Sequence, residues 1–127
     1  MPRPVYQIDG KDISTTRDFF ARIWPLLAGS PFTGTINLDA FNDILSWPDE
    51  PYVLVWKNSD LSRQRLGHGE LAKKLSQMLE GCHPSNNPDL RQRLNRAESG
   101  EGPTMFDWLV EIIRDKQNAK YVTLQLE

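Results

Sequence analysis

Apolar and polar positions follow two different periods along this chain. Val5-Tyr6-Gln7-Ile8 alternates weakly and stops at Asp9-Gly10, which predicts a first strand closed by a turn. From Ser14 to Ala28 the period becomes helical, with Phe19, Phe20, Ile23, Leu26 and Leu27 as the apolar stripe. Thr15 with Asp18 three residues later has capping-box spacing at the start of that helix. Pro25 removes one helical hydrogen bond and crowds the preceding turn, so a kink or an early end is expected near Trp24.

Gly29 to Gly34 is rich in Gly, Ser, Pro and Thr and reads as a loop. It leads into a short helical pattern, Asn37 to Leu45, with Leu38, Phe41, Ile44 and Leu45 expected inward and Asp39, Asn42 and Asp43 outward. Trp47-Pro48-Asp49-Glu50-Pro51 is a turn or loop. Tyr52-Val53-Leu54-Val55-Trp56 is a continuous apolar run of strand length, suited to the buried middle of a sheet. Ser59 to Leu66 and Glu70 to Glu80 read as helices, interrupted at Gly81-Cys82-His83-Pro84-Ser85-Asn86. Asn87-Pro88 then supplies an N-cap and first-turn pair for a polar helix to about Ala97, and Ser99 to Gly102 is another loop. Thr104 with Asp107 repeats the capping-box spacing, opening a helix whose expected core residues are Met105, Trp108, Leu109, Ile112 and Ile113. Tyr121 to Leu126 alternates cleanly as a third strand. Strands separated by helices predict parallel pairing through crossovers, hence an α/β fold.

Composition changes this picture little. The 127 residues fit one domain, and 39% apolar with 25% charged residues is ordinary for a globular protein. A net charge of −2 excludes a strongly basic nucleic-acid binder. The single cysteine, Cys82, cannot close an intramolecular disulfide. Met1-Pro2-Arg3-Pro4-Val5 lacks the apolar run of a signal peptide, and no stretch is long enough to span a bilayer, so the expectation is a cytoplasmic protein with no membrane contact.

The distribution of charge is more informative than its sum. Between Arg22 and Lys57 there is no lysine or arginine, and the only charges are Asp39, Asp43, Asp49 and Glu50. Asp39 and Asp43 stand at i and i+4 of the short helix, where like charges weaken an isolated helix by about 0.2–0.5 kcal/mol. Asp39 recovers something from the macrodipole near the helix start. Local stability does not ask for the pair, so it points to a surface that meets something positive; a merely solvated polar face would look the same. From Lys57 to Arg96 basic residues outnumber acidic ones, but no aromatic residue accompanies them as a stacking platform for RNA.

Other chemistry is poorly supported. His68, Cys82 and His83 match no zinc spacing, so no metal and no cofactor are expected. Gly67-His68-Gly69 and Gly100-Glu101-Gly102 lack the setting of a phosphate loop, and there is no Gly-x-Ser-x-Gly elbow. Asp39 and Asp43 could in principle share acid–base work, but an exposed helix face lacks the burial that such work needs.

Four segments together resemble the barstar family of small intracellular inhibitors of bacterial ribonucleases. They are Tyr6-Gln7-Ile8-Asp9-Gly10, Asn37-Leu38-Asp39-Ala40-Phe41-Asn42-Asp43-Ile44-Leu45, Pro51-Tyr52-Val53-Leu54-Val55-Trp56, and the final helix–strand pair. Asn-Leu-Asp-Ala-x-x-Asp is the specific one. The segments around Arg63–Arg65, Cys82–Asn86 and Gly100–Thr104 are similar to a longer, actinobacterial-type branch. The resemblance implies a single barstar-like domain over residues 1–127, a three-stranded parallel sheet with helices packed against it and extra helices between strands 2 and 3. It implies a non-enzymatic protein, monomeric before complex formation, that binds a small basic bacterial ribonuclease and no nucleic acid directly. The helix with the aspartate pair and the loop before it would plug the nuclease active site. Asp43 would lie where a substrate phosphate lies, with Asp39 as flanking acid and Trp47 and Asp49 at the edge. Asn42 stands where the family has a large aromatic residue. The loop Phe32 to Asn37, which includes Thr35, is one residue longer, and Phe32 is the nearest counterpart of a contacting tyrosine. The resemblance also permits a cis Glu50–Pro51 bond. An immunity protein for a different basic toxin, or an RNA-binding module, would be the alternatives.

Overall fold

A computed structural model describes residues 3–81 and 87–127. The strands are β1 (Val5–Asp9), β2 (Tyr52–Lys57) and β3 (Val122–Leu126), and they pair in parallel in the order β1-β2-β3. The helices are α1 (Thr16–Ala28), α2 (Leu38–Ile44), α3 (Ser59–Arg65), α4 (His68–Gly81), α5 (Asn87–Glu98) and α6 (Met105–Arg114). The crossover from β1 to β2 carries α1 and α2, and the one from β2 to β3 carries the other four. The expected break at Cys82–Asn86, with Cys82 and His83, lies outside the described residues.

Both expected capping boxes form. Thr15 Oγ1 accepts from the Asp18 N–H at 3.1 Å while the Asp18 carboxylate accepts from the Thr15 N–H, and Thr104 and Asp107 repeat the exchange at α6. Of the expected kink or early end near Trp24, the early end is corrected: α1 runs on to Ala28. Pro25 and Ala21, whose carbonyl loses its partner to the proline, are both on the exposed side, where water can serve that carbonyl. Ile23 and Leu27 on the opposite side are buried and hold the last turn. Gly29 then ends the helix in the left-handed region (φ 74°), donating its N–H to Pro25 O.

Register decides which side of each strand is covered. Tyr6 faces Leu54 and Leu54 faces Leu124, while Val5, Val53 and Thr123 form a row on the other face. Ile8, Tyr52, Leu54, Trp56, Val122 and Leu124 are buried beneath the helices. On the opposite face Val5, Gln7, Thr123 and Gln125 are exposed, so this parallel sheet is covered on one side only. The apolar run Tyr52–Trp56 is therefore the central strand, as expected, but its middle position rather than two covered faces shelters Val55.

The core is aromatic. Phe19 packs on Phe41 (5.5 Å between centroids) and on Trp56 (4.8 Å), and Trp56 in turn meets Phe106 at 5.0 Å. Such pairs add about 0.5–1.5 kcal/mol each beyond the area they bury. Two polar tips in this core are satisfied: Trp56 Nε1 donates to Ser62 Oγ at 2.9 Å, and the Tyr52 hydroxyl donates to Leu45 O at 2.7 Å. The core face of α6 is turned from the expected one. Met105, Phe106, Leu109 and Ile113 are buried, while Trp108 and Ile112 are only half-buried. Phe106 wins the interior because Trp56 lies on one side of it and the Arg63 guanidinium sits 4.8 Å from its ring.

Close approach fixes the joint between β1 and α3. Any Cβ on Gly10 would overlap the Asn58 carbonyl oxygen and Ser62 Oγ. Asn58, itself left-handed at φ 51°, donates its side-chain N–H to Asp9 Oδ1 at 2.8 Å.

Candidate functional site: an exposed acidic helix

Helix α2 is short, and its placement comes from both ends. Asn37 caps it, its Oδ1 accepting from the N–H groups of Asp39 (2.9 Å) and Ala40 (3.1 Å). At the far end the Tyr52 hydroxyl holds the Leu45 carbonyl. Phe41, Ile44 and Leu45 are buried, which turns Asp39 and Asp43 out to solvent. Among the described residues the one ion pair is Lys73–Glu70 at 3.0 Å, so no internal cation neutralises Asp39, Asp43, Asp49 or Glu50.

Asn42 corrects the outward reading. It is half-buried, and its Oδ1 accepts from Asn118 Nδ2 at 2.8 Å. Asn118 is 4% exposed and also donates to Ile112 O, so the pair ties α2 to the turn after α6. A residue expected among the contacts serves first as an anchor of the helix that presents the acids.

Three of the expected residues gather around Trp108. Asp39 and Thr35 border an open cleft of about 270 Å³ that reaches Lys74, Met78 and Trp108. Asp39 and Asn42 border a second, of about 280 Å³, that passes Trp108 and Ile112 to Asp115. Trp47 and Asp49 lie together elsewhere, in a cleft of about 380 Å³ with Pro4, Tyr6 and Glu50. Trp47 is 58% exposed, an unusual state for a tryptophan. The Glu50–Pro51 peptide is trans.

Phe32 is committed to the scaffold. Its ring packs edge-on against Phe20 (5.3 Å) and Trp24 (5.2 Å), with the Arg17 guanidinium 5.4 Å from its centroid. It therefore closes the aromatic cluster under the loop instead of projecting from it. Trp108, Asn118, Arg17 and Lys74 are the neighbours that sequence reading did not attach to the site. Helical spacing placed Trp108 in the core, and nothing local marked the other three.

The surroundings of α2 hold two titrating groups displaced from their ordinary values. Burial pushes the Tyr52 phenol well up, with Tyr6 adding to the effect. Burial pushes the Lys74 ammonium down. Elsewhere, burial raises Glu70, but the Thr16 N–H, Lys73 and the Thr16 hydroxyl outweigh it and hold the carboxyl below its usual range.

The site is thus an acidic helix of an α/β protein, fixed at both ends, with its carboxylates exposed and open clefts on its flank. Among known families, the model described as Barstar (barnase inhibitor) matches residues 3–89. The chain belongs to the barstar family, a family of ribonuclease inhibitors. No curated protein and no solved structure matches it. None of the described helices is long and apolar enough to cross a membrane.

Proposed function

We propose that this protein is a single-domain, cytoplasmic inhibitor of a small basic bacterial ribonuclease, inserting α2 and the loop before it into the enzyme's phosphate-binding cleft. The observation that carries this reading is the pair Asp39 and Asp43, exposed on a rigidly held helix and free of ion pairs among the described residues. Asp43 is the anchor, taking the place of a substrate phosphate, and Asp39 is the flanking charge. Thr35 contacts from the loop, Trp47 and Asp49 from the edge, and Asn42 and Phe32 act mainly by supporting that surface. Carboxylates meeting arginine form short, charge-assisted bonds, and an acidic patch facing a basic cleft speeds encounter in a salt-sensitive way. Fixing the carboxylates on a helix reduces the ordering cost of binding.

Titration into a fluorogenic RNA-cleavage assay with small guanyl-specific bacterial ribonucleases tests the reading. Stoichiometric inhibition is expected, with Asp43→Ala weakening it at least about a hundredfold, as interface anchors do. Asp60→Ala, on the oppositely charged segment, is the control; equal loss in both variants would refute the assignment.

A further inference from the structure

The loop between α1 and α2 is held in an unusual way. Among the described residues no backbone–backbone hydrogen bond involves residues 30–36, and Gly34 adopts φ 88°. Phe32 and Ile36 pack on the core, but an open cleft of about 400 Å³ borders Thr35 and Ile36, lined also by Arg17, Lys74, Gln77 and Met78. In place of backbone partners, two cations from different helices serve its carbonyls. Arg17 of α1 donates Nη2–H to Gly34 O at 2.9 Å, and Lys74 of α4 donates to Ile36 O at 2.5 Å.

We propose that Lys74 and Arg17 are positioning residues for the partner-binding loop, clamping the carbonyls of Ile36 and Gly34 so that Thr35 and the start of α2 are set before a partner arrives. The functional half of this rests on the inhibitor reading above. Both contacts are charge-assisted, and the Lys74 ammonium is half-buried, where such a bond is stronger than at an open surface. Ile36 is followed directly by Asn37, the N-cap of α2, so holding the Ile36 carbonyl fixes the entry of the acidic helix. Lys74 shares a cleft with Asp39 yet places its charge on the carbonyl, which leaves Asp39 available to a partner. Helix α4 thereby acquires a role: it supports the binding surface from behind. A loop ordered in advance loses less freedom on association, and the gain is read mainly in the dissociation rate.

The test pairs a partner-free readout with inhibition. Backbone ¹⁵N order parameters of Thr35 and Ile36 should be near about 0.8 in the wild type and fall below about 0.6 in Lys74→Met and in Arg17→Met. The thermal midpoint should stay within about 3 °C, which separates loosening of the loop from unfolding. Against a small guanyl-specific ribonuclease that the wild type inhibits, each variant should dissociate about five- to tenfold faster, with Lys74→Arg restoring most of the loss. Unchanged order parameters in both Met variants would overturn the clamp. Loosened loops with wild-type dissociation rates would overturn its role in binding. Loosened loops in a protein that inhibits no ribonuclease would uphold the clamp while refuting the inhibitor reading.

Discussion

Tyr52→Phe removes one oxygen from the centre of the molecule and leaves its shape almost unchanged. The Tyr52 hydroxyl donates to Leu45 O at 2.7 Å, and both residues are 0% exposed. The substitution opens no sizeable cavity, so the change is confined to the hydrogen bond and to the carbonyl that it leaves unserved. A net hydrogen bond contributes about 1 kcal/mol and a stranded buried acceptor costs about 1–3, giving a loss of about 2 kcal/mol. For a chain of this size that corresponds to about 8 °C in the thermal midpoint. Calorimetry at pH 7 measures it. A second readout comes from alkaline pH. Burial raises the Tyr52 phenol above its ordinary 10.0 in the folded state, so above that pH the unfolded chain ionises first and the wild type loses stability. The Tyr52→Phe protein lacks this loss, and the stability gap between the two should narrow above about pH 10. A midpoint shift under about 2 °C, or a gap that does not narrow, would refute the view that this bond anchors the end of α2.

Other perturbations reach the scaffold that carries the acidic helix. Glu70→Gln weakens the contacts to Thr16 N (2.6 Å) and Oγ1 (3.0 Å) at the start of α1 and abolishes the pair with Lys73. The variant should lose about 1 kcal/mol at pH 7. Because the Glu70 carboxyl is held below its ordinary 4.5, its contribution is present above that pH and is lost as pH falls through the folded value. Thermal midpoints from pH 7 to pH 3 should therefore converge with those of the wild type, and a gap constant with pH would count against the assignment. Gly10→Ala drives a methyl group into the Asn58 carbonyl and should destabilise the fold by about 3 kcal/mol or prevent soluble expression, which a denaturant titration of purified protein checks.

Some of this molecule was legible residue by residue. Both capping boxes and the helical stripe of α1 rest on signals that act within three or four residues, the central strand on one continuous apolar run, and the parallel pairing on the alternation of strands with helices along the chain. The acid pair on α2 was legible for the same reason: at i and i+4 with Phe41 and Ile44 facing inward, Asp39 and Asp43 can only face outward. The amino-acid pattern by itself therefore determined the elements, the α/β class and the charged face. Tertiary structure decided what holds that face in place. Asn118 meets Asn42 across 76 residues, Glu70 meets Thr16 across 54, and Lys74 meets Ile36 across 38. It also chose Phe106 over Trp108 for the core, left one side of the sheet open, and carried α1 past Pro25. Each outcome depends on which distant surfaces are brought into contact when the chain closes its crossovers, and hydrophobic period alone does not distinguish among them. Hydrogen bonds made by polar side chains at such separations leave no periodic trace, and so the supports of the acidic helix emerge only in the folded protein.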